Sequence, residues 1–349
     1  MTLHPRFTYN GYTFQSESLK DGLKELRSSA AAWEQQHLDF IADWITDDAF
    51  ISVQTSGSSG TPSIWNASKE AMRASALRTG EFFDCYEGSS ALLVLPSSFI
   101  AGKMMLVRAM TLGWNLTAIE PKAEPARNLS ESYDFAAFTP MQLASASHED
   151  LEKLSKFGAV ILGGAAVSSE LRSKLALVSG NFYETYGMAE TLSHIALRKM
   201  EVGEKPFVAL NGVYFTTDDR GCLEIDASYL AEEKIQTNDV VELINNTSFY
   251  YRGRLDRMIN SGGIKLFAEV IERKLAGLID VPYAISSESD AVLGEKVVLY
   301  IEGELGASEQ HLQTAMANVL ERYEVPKSIY LVEQLERTES GKLKIIRKP

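Results

Sequence analysis

The sequence predicts an α/β protein that ends in a smaller α+β unit. Three observations predict this class: short β-rich runs alternate with helical stretches between residues 50 and 190, a β meander without helical spacing occupies residues 207–252, and helices and strands alternate again from residue 257. The chain has 349 residues, enough for two or three domains. We therefore expect a large N-terminal domain over residues 1–255 and a small C-terminal domain over residues 256–349.

The first 190 residues predict helices and a mainly parallel sheet. Apolar residues at helical spacing between 17 and 45 predict a pair of helices. Strands then alternate with helices, which is typical of βαβ units. The predicted strands are Phe50–Val53, Ala91–Leu95, Asn115–Ile119, Asp134–Phe138, Ala159–Leu162 and Asn181–Tyr183. The predicted helices cover 69–83 and 102–112, begin at Thr139 and Pro140, and cover 168–178 with Ser168 as N-cap.

The meander and the C-terminal unit follow. Strands are predicted at 213–217, 222–226, 240–244 and 248–252, joined by polar turns. The C-terminal unit is predicted to contain a helix at 267–276, a strand pair at 283–288 and 296–301, a helix at 308–322 and a strand at 328–332.

Composition restricts the partners and the compartment. Acidic residues outnumber basic ones 47 to 34, and a net charge of −13 repels nucleic acid and anionic lipid. The two cysteines, Cys85 and Cys222, are too few for a disulfide framework or a zinc cluster and are predicted to be buried. No signal-peptide core and no apolar run long enough to span a bilayer is present. We expect a cytoplasmic protein with no nucleic-acid partner and no membrane insertion.

The most informative stretch is TSGSSGTPS at residues 55–63, between a predicted strand and a helix. Glycines let consecutive backbone N–H groups converge on an anion, and hydroxyls add further donors. The Walker pattern GxxxxGK[ST] is absent. A flexible Ser/Gly linker has the same composition, but a linker seldom lies between a buried strand and a helix. We predict that this loop binds phosphate through Thr55, Ser56, Gly57, Ser58, Ser59, Gly60 and Thr61.

Four further motifs follow in order: TYGMAET at 185–191, TND at 237–239, YRGRLDRMINSGGIKLFAEVIE at 251–272 and RTESGKLK at 337–344. With the phosphate loop, they resemble the adenylate-forming superfamily, which contains acyl- and aryl-CoA synthetases, nonribosomal adenylation domains and firefly luciferase. The short chain with LGGAAV, FIAGK and YGMAETLSHIA most resembles compact bacterial o-succinylbenzoate-CoA ligases of menaquinone biosynthesis. The resemblance implies ATP-dependent adenylation of that acid, with Mg²⁺, and transfer to CoA as co-substrate.

The resemblance also implies roles for single residues at the nucleotide. Tyr186 would stack on adenine beside Gly187, and Glu190 would hold the Mg²⁺ that bridges the phosphates. Asp239 would accept both ribose hydroxyls, a geometry that suits one carboxylate with two oxygens, and Arg254 would reach the same ribose. Taken alone, each charged residue is an ordinary surface or turn residue, so these roles depend on the motifs.

A basic tail ends this acidic chain. The last 13 residues contain Arg337, Lys342, Lys344, Arg347 and Lys348 against a single acid, Glu339, a net charge of +4. Lys342 resembles the family lysine that bonds the substrate carboxylate and the α-phosphate during adenylation, a role that suits a compact ammonium on a flexible stem. For the other cations of the tail we expect solvated side chains.

The second half-reaction requires CoA at the same site, and the family achieves this by rotating its small, mobile C-terminal domain. Asp256 matches the hinge residue of the family. The turn formed by Ser261, Gly262 and Gly263 would face the pantetheine tunnel of CoA, although an ordinary tight turn accounts for the same glycines.

An acyl pocket is implied beside residues 95–105 and 162–171. Phe99 takes a position often filled by His, and Gly163, Gly164 and Ala165 would form a flat wall for an aromatic ring. Lys103 and Arg108 lie in the same region, which suggests a substrate with a second carboxylate. A solvated helix face is the alternative for both cations.

Several positions depart from the family pattern. Ser63 replaces a lysine, Ala189 a hydroxyl residue, Ala268 a proline and Asn238 a glycine, and the phosphate loop begins so early that the N-terminal domain is predicted to be truncated. Two alternatives therefore stay open: an adenylate-forming ligase for another acid or for a carrier-protein acceptor, and a non-catalytic nucleotide-binding paralogue. The partners are small molecules in the first case, and a homodimer is compatible with the sequence.

Overall fold

The computed structural model describes residues 1–14, 19–54, 64–279, 281–304, 309–336 and 347–348. Nine α-helices are formed within these ranges: α1 (Leu19–Ser29), α2 (Ala32–Trp44), α3 (Lys69–Phe83), α4 (Ile100–Leu112), α5 (Pro140–Ala144), α6 (His148–Leu154), α7 (Ser169–Leu177), α8 (Ala268–Leu275) and α9 (Glu309–Val319). Local side chains explain several helix starts. Ser68 and Ser168 cap α3 and α7, and Thr139 forms a capping box with Gln142 at α5.

One large sheet contains thirteen strands in the order β12-β13-β14-β15-β11-β10-β9-β8-β7-β5-β6-β1-β2. The strands are β1 (Thr8–Tyr9), β2 (Tyr12–Thr13), β5 (Ser90–Leu93), β6 (Asn115–Ala118), β7 (Phe135–Phe138), β8 (Ala159–Leu162), β9 (Phe182–Gly187), β10 (His194–Lys199), β11 (Phe207–Ala209), β12 (Tyr214–Thr217), β13 (Cys222–Asp226), β14 (Ile235–Asn245) and β15 (Ser248–Arg254). From β1 to β9 all neighbours run parallel, and the meander strands continue the same sheet antiparallel. The predicted α/β class with a mainly parallel sheet and a meander is confirmed.

The predicted strand at Phe50–Val53 exists but belongs elsewhere. It forms β3 (Phe50–Gln54), which pairs antiparallel with β4 (Ile64–Ser68) in a separate two-stranded sheet. Gln54 pairs with Ile64, so this ribbon flanks the predicted phosphate loop on both sides. The expectation that this strand joins the parallel series is wrong, because a hairpin partner that follows the loop takes up its backbone groups.

The C-terminal unit has its own sheet. Its strands are β16 (Met258–Ser261), β17 (Ile264–Phe267), β18 (Tyr283–Asp290), β19 (Gly294–Glu302), β20 (Ser328–Val332) and β21 (Arg347–Lys348). The order is β17-β16-β19-β18-β21, and β20 pairs with β19. α8 and α9 pack on one face, where Ile271 and Met316 are fully buried. The α+β unit predicted from residue 257 onwards is confirmed in its helices and in the strands at 283–288, 296–301 and 328–332.

The apolar core is divided between the large sheet and the C-terminal unit. One cluster of buried residues extends from Phe7 to Phe249, whereas the clusters of the C-terminal unit begin at Ile259. The two parts touch where β15 meets α8. A Cβ on Gly253 would lie 2.8 Å from Glu269 Oε2, so a glycine permits this close approach. The division at residues 255 and 256 as a hinged domain boundary stays a prediction.

Candidate functional site

The residues predicted to bind the nucleoside meet around one buried carboxylate. The Tyr186 hydroxyl, at the end of β9, donates to Asp239 Oδ2 at 2.5 Å, and Arg254 Nη1 lies 3.4 Å from Asp239 Oδ1. Asp239 and Arg254 are directly opposite each other in β14 and β15. Burial raises the pKa of Asp239, while the bonds from Tyr186 and Arg254 act in the other direction. Three residues from separate motifs therefore converge, as the resemblance implies.

Aromatic side chains hold the Tyr186 ring. Its centroid lies 5.2 Å from that of Phe249 in an edge-to-face arrangement and 5.6 Å from that of Phe207. Burial beside Asp239 raises the pKa of the Tyr186 hydroxyl well above its usual value, so this group stays a hydrogen-bond donor at neutral pH. Stacking of Tyr186 on adenine stays a prediction.

Glu190 projects from a strained turn. It lies in a single 3₁₀ turn, Ala189–Thr191, and its side chain is exposed. Leu192 follows at φ 64° and ψ −40°, and Ser193 N donates to Thr191 O at 2.6 Å, which defines a γ-turn of the rare positive-φ form. Such strain occurs mainly at functional sites. Gly187 permits this path, because a Cβ there would lie 2.4 Å from Ser193 O.

Thr191 holds the ends of this turn together. Its side chain is fully buried, and Oγ1 accepts from Met188 N at 2.9 Å and lies 2.8 Å from Ser193 O as a donor. The turn is therefore fixed without the Glu190 carboxylate, which has no hydrogen-bond or ion-pair partner among the residues that the structure describes.

Arg108 is buried beside the same turn. Nη2 donates to Ser193 Oγ at 2.7 Å and to His194 Nδ1 at 3.4 Å, and Nε donates to Thr79 Oγ1 at 3.3 Å. His194 Nε2 lies 3.2 Å from the same Thr79 oxygen, which itself donates to Ser75 O, so the imidazole is neutral with its proton on Nε2. The alternative of a solvated helix face is wrong for Arg108, because α4 is enclosed on this side.

The charge of Arg108 has no carboxylate partner among the residues that the structure describes. Burial alone lowers the pKa of its guanidinium to about 9, and burial together with Arg108 lowers that of His194 well below the usual value. A buried cation without a counter-charge is unfavourable by several kcal/mol unless an anion binds beside it. Arg108 was assigned to the predicted acyl region, but its burial against Ser193 had no signal in the sequence.

Lys103 has a different environment. Its ammonium lies 4.8 Å from the centroid of the Phe40 ring, and burial lowers its pKa while the charge of Asp43 raises it. The lysine therefore contacts α2, the second N-terminal helix. Its predicted role at the edge of the acyl pocket stays a prediction.

The predicted ring-binding wall follows β8. Gly163 lies against β9, because a Cβ there would be 2.4 Å from Thr185 Oγ1, and Gly164 has φ 83°. Gly164 and Ala165 are exposed, as is Phe99 before α4. Because the carboxyl ends of parallel strands lie at one edge of a sheet, the wall and the Tyr186 segment share that edge.

Comparison with known proteins gives the family. The model for the AMP-binding enzyme family matches residues 13–212. This chain belongs to the AMP-binding enzyme family. An acyl-CoA synthetase (AMP-forming)/AMP-acid ligase II-like protein from Dyadobacter fermentans is 34% identical, with a TM-score of 0.62 over 92% of this chain and 95% of that one. The adenylate-forming resemblance is thus confirmed.

Three further similarities are to two proteins whose names contain succinylbenzoate. The 2-succinylbenzoate–CoA ligase of Lactococcus lactis is 22% identical over 95% of this chain and 78% of its own length. The o-succinylbenzoate CoA synthetase of Bacillus subtilis, solved with its acyl-adenylate, has a TM-score of 0.72 at 18% identity over 84% of this chain and 67% of that one. A second structure of the Bacillus protein contains ATP and a magnesium ion, with a TM-score of 0.71 at 19% identity over 84% of this chain and 68% of that one.

In this AMP-binding enzyme the predicted hinge residue, Asp256, forms an ion pair with Arg254. Asp256 lies in a single 3₁₀ turn, Leu255–Arg257, and accepts from Arg254 Nε at 3.0 Å and Nη2 at 2.9 Å. This pairing lowers the pKa of Asp256 and raises that of Arg254. Arg254 thus connects the buried Asp239 carboxylate with Asp256.

The predicted CoA turn is a tight hairpin. Ser261 pairs with Ile264, and Gly262 and Gly263 have φ values of 61° and 83°, which only glycine adopts without strain. Gly262 N donates to Leu293 O at 2.8 Å. The hairpin requires these glycines whether the turn faces CoA or is an ordinary tight turn. A role of the turn in CoA binding therefore stays a prediction.

Some predicted site residues lie outside the described residues. These are Lys342 and the phosphate loop with Thr55, Ser56, Gly57, Ser58, Ser59, Gly60 and Thr61.

Within the described ranges no helix is long and apolar enough to cross a membrane. In the same ranges no three His, Cys, Asp or Glu residues are grouped as ligands of a metal ion. A single exposed Glu190 fits Mg²⁺ held jointly with phosphate oxygens and water, which is how this ion is usually bound.

Proposed function

We propose that this AMP-binding enzyme is an AMP-forming acid-CoA ligase. The acid attacks the α-phosphate of ATP to form an acyl-adenylate and pyrophosphate, and the thiol of CoA then displaces AMP to give the thioester. The observation that carries the proposal is the buried Asp239 carboxylate, held by Tyr186 and Arg254 at the sheet edge where Glu190 is exposed. Asp239 would accept the nucleoside, and the exposed Glu190 carboxylate would hold Mg²⁺.

We propose o-succinylbenzoate as the acid, on two grounds. The Lactococcus and Bacillus relatives have names that specify this substrate. Independently, a buried Arg108 without a carboxylate partner in the described part of the chain suits the second carboxylate of such an acid. The wall of Gly163, Gly164 and Ala165 would receive the ring, with Phe99 at its side. Lys103 is the second candidate for the carboxylate.

The remaining roles complete the proposal. The loop 55–61 would bind the phosphates and Glu190 the Mg²⁺ ion. Lys342 would neutralise charge between the two anions during adenylation. Asp256 would act as hinge, and the turn from Ser261 to Gly263 would accept the pantetheine of CoA. The partners are then small molecules, and a cytoplasmic location stays a prediction from composition.

The experiment measures pyrophosphate release across a panel of carboxylic acids with and without CoA, and detects the thioester by mass spectrometry. We expect release only when acid is present, the highest kcat/KM for o-succinylbenzoate, and a thioester only with CoA. Pyrophosphate release without a CoA thioester would favour a carrier-protein acceptor. No release with any acid would favour the non-catalytic alternative.

Lys342→Ala separates the two half-reactions. Adenylation should be abolished, while a supplied acyl-adenylate is still converted to the thioester. Equal loss of both reactions would give Lys342 a structural role.

A further inference from the structure

The strand segment that contains Asp239 is bulged. Cys222 pairs with Val240 and Glu224 with Gln236, so the three residues Thr237–Asp239 of β14 oppose the single residue Leu223 of β13. A bulge redirects side chains and leaves backbone groups without ladder partners. The position of the Asp239 carboxylate therefore depends on whatever fixes this segment.

Arg220, in the turn between β12 and β13, binds this segment at one backbone oxygen and one side-chain oxygen. Nη2 donates to Thr237 O at 3.1 Å, and Nη1 donates to Asn238 Oδ1 at 3.2 Å. Thr237 Oγ1 in turn accepts from Asp239 N at 3.0 Å. Every residue of the bulge is thus held by a side chain, and two of the three bonds come from one guanidinium.

The guanidinium is itself fixed in direction. Asp218 Oδ2 accepts from Arg220 Nε at 2.7 Å, and Asp218 Oδ1 accepts the backbone N–H groups of Arg220 and Cys222, both at 2.9 Å. The planar fork of arginine can address Asp218, Thr237 and Asn238 at once, which a lysine cannot do. Asn238, which departs from the glycine common in the family motif, is the acceptor for one arm of the fork.

We infer that Arg220 is a positioning residue for the nucleotide. It acts through the bulge on Asp239 and Tyr186 and does not react itself. The inference depends on the proposed function only in placing the nucleoside at Asp239. The Arg220 side chain is half exposed, and exposed ion pairs contribute little to the stability of a fold. Its loss should therefore affect nucleotide affinity rather than folding.

The test is calorimetric binding of AMP to the full chain, without acid or CoA. Arg220→Met should raise the Kd for AMP about five- to tenfold, the effect of losing one or two bonds to a charged donor. In steady-state assays the KM for ATP should rise by the same factor, while kcat at saturating ATP and the KM of the acid stay within about twofold. Asn238→Gly removes only the acceptor of the Arg220 Nη1 hydrogen bond, so it should have a smaller effect on the Kd for AMP.

Arg252→Met is the matched control. Arg252 lies on the same β14–β15 hairpin and pairs with Glu242 on β14 and with Glu204 before β11, but among the described residues it makes no bond to the bulge. It should leave the Kd for AMP unchanged. If Arg220→Met does not fold, Arg220→Lys and Asn238→Gly replace it, and both should weaken AMP binding relative to the control. The inference is overturned if the Arg220 and Asn238 variants bind AMP as tightly as the Arg252→Met control. It is also overturned if kcat falls without a change in the KM for ATP. A wild type that binds AMP but adenylates no acid would contradict the proposed function alone.

Discussion

The Tyr186 hydroxyl donates a 2.5 Å hydrogen bond to Asp239, although three strands of the sheet, β15, β11 and β10, lie between β14 and β9. The sheet must curve to bring β9 and β14 together, and Phe249 and Phe207, from the intervening strands β15 and β11, pack against the Tyr186 ring. Burial raises the pKa of Asp239, and the bond from Tyr186 acts against this effect because hydrogen bonding to the charged form favours that form.

Tyr186→Phe should therefore weaken nucleotide binding, more so at low pH. Loss of the bond removes about 1.5–3 kcal/mol of support for the ionised carboxylate. The pKa of Asp239 rises further, so the decline of AMP binding on the acid side should move to higher pH. Calorimetry between pH 5 and 8 measures this shift. Tyr251→Phe, which removes the hydroxyl of a neighbouring tyrosine, is the control. An identical pH profile of AMP binding in both variants would contradict the role of the Tyr186–Asp239 bond.

Glu190→Gln should impair the use of Mg·ATP while leaving the fold intact. The turn is held by Thr191 and by the Arg108–Ser193 bond, so the carboxylate is not needed to form it. Glutamine keeps the shape but loses the charge that holds the cation. The rate of pyrophosphate release as a function of Mg²⁺ concentration measures the effect, with Glu170→Gln on α7 as control. Unchanged Mg²⁺ dependence would show that the metal is held elsewhere.

Asp256→Pro should leave adenylation nearly intact and block thioester formation. Proline fixes φ near −65° and removes the torsional freedom that a hinge requires. The substitution also removes the ion pair with Arg254, which is exposed and contributes at most about 1 kcal/mol. Asp256→Ala loses the same pair but keeps the rotation, so it should form thioester. Equal behaviour of the two variants in single-turnover assays of each half-reaction would mean that residue 256 is no hinge.

Periodicity predicted most elements of this fold, because amphipathic helices and short apolar strands have local signals. The sequence did not reveal β4, β10 or the continuation of the meander into the parallel sheet, since pairing between distant segments has no local signature. The motifs predicted that Tyr186, Asp239 and Arg254 lie together, and the structure brings these three side chains into contact, while their role at a nucleotide stays a prediction. The burial of Arg108 was missed because α4 is apolar on nearly every side, so no face of it could be assigned to solvent. The TND motif contains no signal for the bulge that Arg220 stabilises.

Stability should fall between pH 7 and pH 5 because histidines are buried, and His37 should account for a separable part of the fall. Burial lowers the pKa of His37 to about 4, and its Nδ1 lies 3.1 Å from the Tyr9 hydroxyl. The unfolded chain binds a proton below about pH 6.5, whereas the folded chain does not until about pH 4. One such residue reduces the free energy of unfolding by about 2 kcal/mol over this range.

Urea denaturation at pH 7 and pH 5 measures this loss. His37→Gln should lose about 2 kcal/mol less than the wild type between the two pH values. The exposed His148 on α6 provides the control, because His148→Gln should keep the pH dependence of the wild type. The same pH dependence in both variants would exclude His37 as the source.

The preference for a diacid should depend on Arg108. Its guanidinium is buried with no carboxylate partner in the described ranges, whereas the Lys103 ammonium already lies over Phe40 with Asp43 nearby. A desolvated pairing with a second carboxylate contributes about 1.5–3 kcal/mol, or a preference of roughly ten- to more than a hundredfold. The comparison is kcat/KM for o-succinylbenzoate against 4-phenyl-4-oxobutanoate, which lacks that carboxylate.

Arg108→Gln and Lys103→Met distinguish the two cations. Glutamine can still donate to Ser193 but carries no charge, and removing an unpaired buried cation need not destabilise the fold. We expect Arg108→Gln to abolish most of the diacid preference with the monoacid rate largely retained, and Lys103→Met to preserve that preference. The reverse result would assign the second carboxylate to Lys103. A wild type that prefers the monoacid, or a long fatty acid, would contradict o-succinylbenzoate as substrate and leave only the acid-CoA ligase reaction.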